Sequence, residues 1–358
     1  MMKWSWILII FFASVGCQRD VEFPEGKTVK DEIPDPTPHE LRIPQGFGDY
    51  YRNPDNPLTL EGISLGKKLF HDPILSDGNR QSCASCHNQS KGFSDPRRVS
   101  PGAAPGAIGK RNAMALINLA WRREFFWDGR SFSLEHQALD PVSNPIEMNL
   151  PWPQAIQKLK AHEEYPLLFE RAFGVQDFDS THVVKAIAQF EKTLISADSK
   201  YDKYLRGEAT LTDQERLGLD LFNSERADCF HCHNGVTFTD NSFRNNGLQS
   251  TVRDSGLGGV NGNPRDVAKF KVVTLRNIGF TAPYMHDGRF QTLEQVINFY
   301  SDSVNQQSPN IDPVMLKSNR ENGSLNLTDE EKEALIAFLN TLNDSSFVED
   351  EKFSNPFE

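Results

Sequence analysis

The sequence has few cysteines, few long apolar runs and a deficit of positive charge. Five of its 358 residues are cysteines, namely Cys17, Cys83, Cys86, Cys229 and Cys232. Lys and Arg number 38 against 49 Asp and Glu, and the formal net charge is -11. This balance argues against a nucleic acid partner and suits a protein partner with a basic face. Alternating apolar and polar runs are scarce too, so we expect a mainly α protein with long loops.

One long apolar run, Trp4 to Phe12, stands near the N-terminus. It is too short to span a membrane and small residues follow it, so residues 1–16 are predicted to be a signal peptide. The tetrapeptide ASVG before Cys17 resembles a bacterial lipoprotein cleavage box, with Ser14 in place of the usual leucine. The resemblance implies a lipid on Cys17 and a periplasmic lipoprotein that touches the membrane through this anchor alone. The alternative is ordinary cleavage that leaves a free thiol, which is awkward in an oxidising compartment.

The other four cysteines lie in two copies of one pattern, CASCH at residues 83–87 and CFHCH at residues 229–233. In each copy the two thiols can bond the two vinyl groups of one haem, while the following histidine coordinates its iron. A zinc site or a redox CxxC would be an alternative for a single copy. Two copies behind an export signal favour haem. The sequence therefore predicts two covalently bound c-type haems, held by Cys83, Cys86 and His87 and by Cys229, Cys232 and His233.

The surroundings of the two motifs repeat at an offset of 146 residues, from His87 to His233. LGKKLF precedes the first motif and LGLDLF the second, while GFSD follows the first and TFTD the second. We therefore expect two cytochrome c-like haem domains related by an internal repeat. The predicted boundaries are a signal peptide at 1–16, a Pro-rich acidic tether at 17–56, a first haem domain at 57–205 whose later helices can pack with the second, a second haem domain at 206–345, and a tail at 346–358.

Helix starts are marked by capping boxes at Thr212, Thr292 and Thr328, each followed three residues later by Glu or Gln. A threonine hydroxyl and a side chain three residues on can satisfy the free amides of a first helical turn. Residues 154–173 and 181–196 also carry apolar residues at helical spacing, which predicts further helices.

Four longer stretches carry a family resemblance. They are LGKKLFHDPILSDGNRQSCASCH, FFWDGRSFSLEHQALDPVSNPIEM, LFNSERADCFHCHNG and VVTLRNIGFTAPYMHDGRFQTLEQV. Over residues 57–343 the chain resembles the bacterial dihaem cytochrome c peroxidases, a family that includes the dihaem enzyme that matures a tryptophan-derived cofactor in methylamine dehydrogenase. The resemblance implies that hydrogen peroxide is reduced at the first haem. The second haem would take electrons from a small c-type cytochrome or copper protein, and a homodimer is left open.

The resemblance also assigns roles to single residues. His87 and His233 would be the proximal ligands of the first and second haem, and Met285 in APYMH would be the distal ligand of the second. A His/Met pair raises the potential of an iron, which suits an electron entry port. His286 and Tyr284 are the competing ligands at this position.

Three further side chains match family positions at the peroxide site. Glu147 matches the acid-base that moves a proton between the peroxide oxygens, and Gln137 matches the amide that positions peroxide. Trp127 matches the tryptophan that lies between the haems. The family also binds calcium there, which implies a site made of Asn112 and backbone carbonyls near Asp266 and Ala268. Asn112 as a plain loop hydrogen-bonder is the alternative.

One departure from the family pattern concerns the resting state. Many members close the peroxide haem with a histidine in the loop after the first motif, but residues 88–135 contain none. We therefore expect the iron held by His87 to be open or water-bound and to need no reductive activation.

Two other functions are possible on the same scaffold. One is peroxide-dependent oxidative modification of a protein partner, which Met285 disfavours because the cofactor-maturing relative has tyrosine there. The other is a pure electron carrier, which Gln137 and Glu147 disfavour because a carrier needs no proton machinery.

Overall fold

Helices dominate the computed structural model, which describes residues 34–317 and 323–358. Within these ranges the sheet content is one antiparallel pair, β1 Phe243–Arg244 with β2 Phe270–Lys271. The prediction of a mainly α protein is confirmed. The predicted signal peptide and Cys17 lie outside the described residues. No helix in the described ranges combines the length and the apolar composition needed to cross a bilayer.

The helices are joined by long irregular segments that contain the haem motifs. In chain order they are α1 Leu60–His71, α2 Leu134–Ser143, α3 Trp152–Lys160, α4 Tyr165–Phe173, α5 Ser180–Lys192, α6 Lys200–Leu205, α7 Asp213–Phe222, α8 Leu257–Asn261, α9 Leu293–Asp302, α10 Pro313–Leu316, α11 Asp329–Asn340 and α12 Ser345–Glu349.

Two of the three capping boxes predicted from the sequence form, at Thr212 and Thr328, and each starts its helix. The Thr212 hydroxyl accepts the amide of Glu215 at 3.2 Å, and the Glu215 carboxylate accepts the amide of Thr212 at 2.7 Å. The same reciprocal pair joins Thr328 and Glu331 at the start of α11. Thr292 caps α9 by accepting the amide of Gln295, but the Gln295 side chain accepts the amide of Gln291, so the predicted reciprocal bond to Thr292 does not form. Each cap satisfies amides that would otherwise lack a partner in the first turn.

Helix α1 packs closely against α5 in the first half of the chain. The contact passes through Gly66, where a Cβ would stand 1.9 Å from the carbonyl oxygen of Ala186. A fully buried apolar core surrounds this helix pair, made of residues such as Leu65, Leu69, Leu75, Phe169, Phe178, Val183 and Ile187. The LG of LGKKLF is therefore a packing requirement, because any side chain at residue 66 would push the helices apart.

Helix α7 packs against α11 in the second half in the same way. Here the contact passes through Gly218, where a Cβ would stand 1.9 Å from the carbonyl oxygen of Ala334. The second core includes Phe222, Phe238, Leu335, Phe338, Leu339 and Leu342. The two LG dipeptides thus occupy corresponding places, since each lies on the α-helix that precedes a haem motif.

Both ends of the described chain pack on the first half. Residues 34–56, which the sequence assigned to the tether, bury Leu41 and Tyr50 in a small cluster with Leu58 and Ala120. In the predicted tail, Phe347 and Phe353 are buried, with ring centroids 5.6 and 6.1 Å from that of Phe93. The C-terminal segment therefore covers apolar surface next to the first haem motif, because Cys83 and Ala84 pack against the same cluster.

Candidate active site

The first haem motif forms a tight turn that brings its three functional side chains together. Cys83–Ser85 is a 3-10 turn, and the amides of Cys86 and His87 both bond the carbonyl of Cys83. The His87 ring nitrogen Nδ1 lies 2.9 Å from the carbonyl oxygen of Phe93. A carbonyl can only accept, so Nδ1 carries the proton and Nε2 keeps a free lone pair. Burial lowers the pKa of His87, which favours the neutral form that binds a metal.

The second motif repeats this geometry. Cys229–His231 is again a 3-10 turn, and the amide of His233 bonds the carbonyl of Cys229 at 2.9 Å. Nδ1 of His233 lies 3.2 Å from the carbonyl oxygen of Phe238. Burial lowers the pKa of His233 as well. Both histidines are therefore neutral, oriented and able to offer Nε2 to a metal.

A cavity of about 1270 Å³ lies beside the first motif. Cys83, Cys86 and His87 line it, and so do Gln137 and Glu147, which were predicted to act on peroxide, and Trp127, which was predicted to lie between the haems. The structure therefore brings together residues that are up to 64 positions apart in the sequence (83 to 147).

The cavity also contains a guanidinium that suits an anionic ligand. Arg122 lines it, and burial lowers the pKa of Arg122 to about 10. Within the described residues no carboxylate forms an ion pair with it, although an ion in such a place ordinarily needs a partner. A haem brings vinyl groups, an iron and propionate carboxylates. The two thiols, the Nε2 lone pair of His87 and the Arg122 guanidinium provide one partner for each of these, so the residues fit a haem.

Glu147 is placed by a turn that follows α2. The helix ends at Ser143, with Asn144 as its C-cap, and the Asn144 side chain donates to Oε1 of Glu147 at 3.2 Å. Burial raises the pKa of Glu147, and the charge of Arg130 partly opposes that rise. A half-buried carboxyl with a raised pKa on a cavity wall is able to hold and release a proton. Gln137 comes from α2 itself and faces the same cavity.

Trp127 stands between the large cavity and a second, small one. It lines both, and the small cavity, of about 60 Å³, is also lined by Met285. The indole Nε1 donates to the carbonyl of Asn112 at 2.9 Å, and the Trp127 carbonyl accepts the amide of Lys271 at 2.9 Å. The ring is therefore fixed at the seam between the two halves of the protein.

Met285 is joined to the second motif by two other side chains. The Asn246 amide nitrogen lies 3.5 Å from the Met285 sulfur and 3.1 Å from the Tyr300 hydroxyl. Burial raises the pKa of Tyr300 to about 12, and the thiols of Cys229 and Cys232 are close enough to add to the rise. This chain of contacts places Met285 in the surroundings of the second motif.

The two competing ligands are placed elsewhere. His286 lines the large cavity that contains His87, and its ring stacks on Phe270 at 3.7 Å with an interplanar angle of 9°. The Tyr284 hydroxyl donates to the carbonyl of Ile278 at 2.9 Å and is buried. Of the three candidates, Met285 is thus the one whose polar atom is linked to the second motif by the contacts described above.

Asn112 is buried and acts as a hydrogen-bond donor within a loop. Its amide donates to the carbonyl of Arg97 at 3.0 Å. The amide of Ala268 bonds Ser255, and the carboxylate of Asp266 accepts from neighbouring asparagines. In the described part of the chain no hydrogen bond joins Asn112 to residues 266 or 268, so the calcium site remains a prediction.

Four residues of these sites carry no sequence signal and were missed: Arg122, Glu191, Asn246 and Tyr300. Glu191 lines the large cavity, and its Oε2 is buried without a hydrogen-bond partner in the described structure. Burial and the charge of Glu135 raise the pKa of Glu191 to about 8. In the sequence it is one polar position in a helix, and its burial depends on contacts that the sequence does not show.

Comparisons with known proteins identify a family model and several relatives. A family model described as di-haem cytochrome c peroxidase matches residues 60–210. The methylamine utilization protein MauG of Methylorubrum extorquens is 37% identical over 295 residues, which are 80% of this chain and 79% of that protein. The cytochrome c551 peroxidase of Nitrosomonas europaea is 37% identical over 246 residues, which are 67% of this chain and 73% of that protein.

A solved structure has the same fold. The crystal structure of a MauG-like protein associated with microbial copper homeostasis superposes with a TM-score of 0.83 at 33% identity. The match covers 89% of this chain and 100% of that one. The arrangement of the described helices is therefore that of a MauG-like protein.

Proposed function

The chain belongs to the di-haem cytochrome c peroxidase family, and on this premise we propose that it reduces hydrogen peroxide to water with electrons from a small redox protein. Two donors each give one electron, two protons are taken up, and each peroxide yields two waters. Membership of a di-haem family implies two haem groups. The observation that supports the proposal is the cavity beside His87, which is lined by a metal ligand, an amide and a carboxyl.

The haems would be held by the two motifs. Thioether bonds would form at Cys83 and Cys86 and at Cys229 and Cys232, with His87 and His233 as the iron ligands. When bound, the haems supply an iron that takes peroxide and a store for electrons. The Phe93 and Phe238 carbonyls orient the two imidazoles, and Arg122, which lines the large cavity, would neutralise a propionate there.

Glu147 and Gln137 would handle the substrate. The ionised Glu147 carboxylate takes the proton from the inner peroxide oxygen and returns it to the outer one, which then leaves as water. The Gln137 amide donates to the peroxide and holds it in place. Burial raises the pKa of Glu147, so its carboxylate is a stronger base toward the peroxide proton.

Electrons would enter at the second motif, with Met285 completing the ligand set. The acidic net charge of -11 suits a donor with a basic docking face, which a small c-type cytochrome or copper protein can provide. The Trp127 ring occupies the seam between the two cavities and would shorten the gap that an electron has to cross.

The test measures peroxide turnover by the holoprotein. Purified protein with both haems is mixed with a reduced small c-type cytochrome, and oxidation of the cytochrome is followed on addition of peroxide. Two cytochromes oxidised per peroxide is the expected stoichiometry. Oxidation no faster than without the protein would contradict the proposal.

A second candidate is peroxide-dependent oxidation of a side chain on a partner protein. The similarity to proteins named MauG favours it, and Met285 disfavours it because the cofactor-maturing relative has tyrosine at that position. Mass spectrometry of a candidate partner, encoded close to this protein, would show oxygen added or hydrogen removed after peroxide treatment if this function holds. An unchanged mass beside rapid cytochrome oxidation would favour the peroxidase.

Three further predictions, on localisation, calcium binding and the internal repeat, are also proposals. We propose a periplasmic lipoprotein anchored at Cys17, which mass spectrometry of the N-terminal peptide would show. Calcium at Asn112 would appear in elemental analysis of metal-depleted and reloaded protein. The corresponding glycine contacts at residues 66 and 218 support an internal repeat of two cytochrome c-like halves.

A further inference from the structure

We propose that Asn246 is a positioning residue that raises the reduction potential of the second haem by donating a hydrogen bond to the sulfur of Met285. The inference rests on the proposed function, in which Met285 is a ligand of that haem.

The Asn246 side chain makes two contacts through one nitrogen. Nδ2 lies 3.5 Å from Sδ of Met285 and 3.1 Å from the hydroxyl oxygen of Tyr300. An amide nitrogen carries two hydrogens, so it can donate to both atoms at once. Tyr300 accepts one hydrogen and so fixes the rotation of the amide, which leaves the other hydrogen directed at the sulfur.

The backbone around Asn246 is held on both sides. The preceding Asn245 is buried and donates to the carbonyl of Pro309 at 2.7 Å. The following Gly247 has a φ of +74°, and a Cβ there would stand 2.7 Å from a methyl group of Val304. Its carbonyl also accepts the amide of Asn305 at 2.8 Å. The backbone of Asn246 is therefore restrained on both sides, which keeps its side chain close to the sulfur.

Met285 is held equally firmly. It sits in a turn at a φ of +73°, and its carbonyl accepts the amide of Gly288 at 3.0 Å. The amide of the preceding Tyr284 bonds the carbonyl of Phe290 at 2.8 Å. Both partners of the sulfur contact are thus fixed by their own backbones, as a hydrogen bond that orients a metal ligand requires.

The direction of the effect follows from the electronics of the thioether. The sulfur has two lone pairs, of which one can bind iron and the other can accept the Asn246 hydrogen. Donation to the sulfur draws electron density away from it and makes it a weaker donor to iron. An oxidised iron depends more on donated density than a reduced one, so the hydrogen bond favours the reduced state. Hydrogen bonds around a ligand sulfur tune potential in other metal sites as well.

The test measures potential and spectrum in the holoprotein. Asn246→Ala removes the donor, Tyr300→Phe removes the anchor of the amide, and Asn223→Ala is the control, because Asn223 is an exposed residue that donates to its own helix at Leu219. Each variant is checked for two haems per chain. The second haem is then titrated spectroelectrochemically, and its long-wavelength sulfur-to-iron charge-transfer band is recorded in the oxidised protein.

In Asn246→Ala we expect the reduced-to-oxidised ratio at a fixed solution potential to fall about two- to tenfold, where tenfold corresponds to about 59 mV for one electron. Tyr300→Phe should shift the ratio in the same direction by less, and Asn223→Ala should leave it unchanged. The charge-transfer band should move or weaken in step with the potential.

Three results would overturn the inference. An unchanged potential and band in Asn246→Ala would show that the contact has no effect on the ligand, while Met285 and the peroxidase proposal would stand. A raised potential in that variant would refute the direction. A wild-type protein without any sulfur-to-iron band would remove Met285 as ligand and the inference with it, although peroxide turnover, measured separately, would still decide the proposed function.

Discussion

Replacing Glu147 by glutamine isolates the proton-handling step that we propose for the peroxide site. Glutamine has nearly the same volume, and its side-chain oxygen can still accept the 3.2 Å hydrogen bond from Asn144. The cavity shape and the haem should therefore be retained. What is lost is the ability of residue 147 to take and return a proton.

General acid-base catalysis by one side chain is worth roughly 10² to 10⁴ in rate. At about 1.36 kcal/mol per factor of ten, this is about 2.7 to 5.4 kcal/mol of transition-state stabilisation. We therefore expect Glu147→Gln to lower kcat for peroxide at least about 100-fold with both haems in place. Because burial raises the pKa of Glu147, wild-type turnover should decline as the pH falls through that raised pKa, and the variant should lack this decline.

The assay is peroxide-dependent oxidation of a reduced small cytochrome across a pH series. Glu163→Gln is the matched control, since Glu163 is an exposed glutamate in the turn between α3 and α4. It should turn over like the wild type. Equal kcat for Glu147→Gln and the wild type, at equal haem content, would refute the assignment of Glu147.

Three further predictions concern packing, pH and haem attachment. Gly218→Ala should lower the free energy of unfolding by about 1–3 kcal/mol, because the added Cβ would meet the backbone of α11. Gly48→Ala is the control and should leave the free energy of unfolding unchanged, because the space around Gly48 is open. Urea unfolding of both variants tests this. Burial and a neighbouring carboxylate raise the pKa of Glu191 to about 8, so wild-type stability should fall as the pH rises from 4.5 to about 8. Glu191→Gln should remove this dependence of stability on pH and be more stable than the wild type at pH 8. Urea midpoints that change with pH in the same way in both proteins would contradict the prediction. Changing Cys83 and Cys86 together to alanine should halve the covalent haem content, measured after acid-acetone extraction, and an undiminished content would contradict attachment there.

Local signals in the sequence predicted a good part of this structure. The haem motifs form the same tight turn twice, and the threonine caps at residues 212 and 328 start α7 and α11, because these features depend on neighbours within four residues. Residues 154–173, where helical spacing was predicted, lie in two helices, α3 and α4, and Pro166 stands in the first turn of α4, where it favours a helix start. A proline is a local signal, so the break is readable from the sequence.

What the sequence could not show depends on distant contacts. Phe347 and Phe353 lie in a short, acidic C-terminal stretch, and their burial against Phe93 requires the chain to return across some 250 residues (93 to 347). Asn246 lies in an ordinary NNG turn. Its proposed role depends on contacts with Met285 and Tyr300, which belong to other parts of the chain. Arg122 looks like a surface arginine until the fold buries it at a cavity wall.

The proposed function requires two irons with different ligands, one open beside Glu147 and one closed by Met285. Electron paramagnetic resonance of the fully oxidised, peroxide-free holoprotein tests this most directly. We predict one high-spin or water-bound signal, lost when Cys83 and Cys86 are changed to alanine, together with one low-spin signal of a His/Met haem. Two low-spin signals from six-coordinate haems with only nitrogen ligands would contradict it.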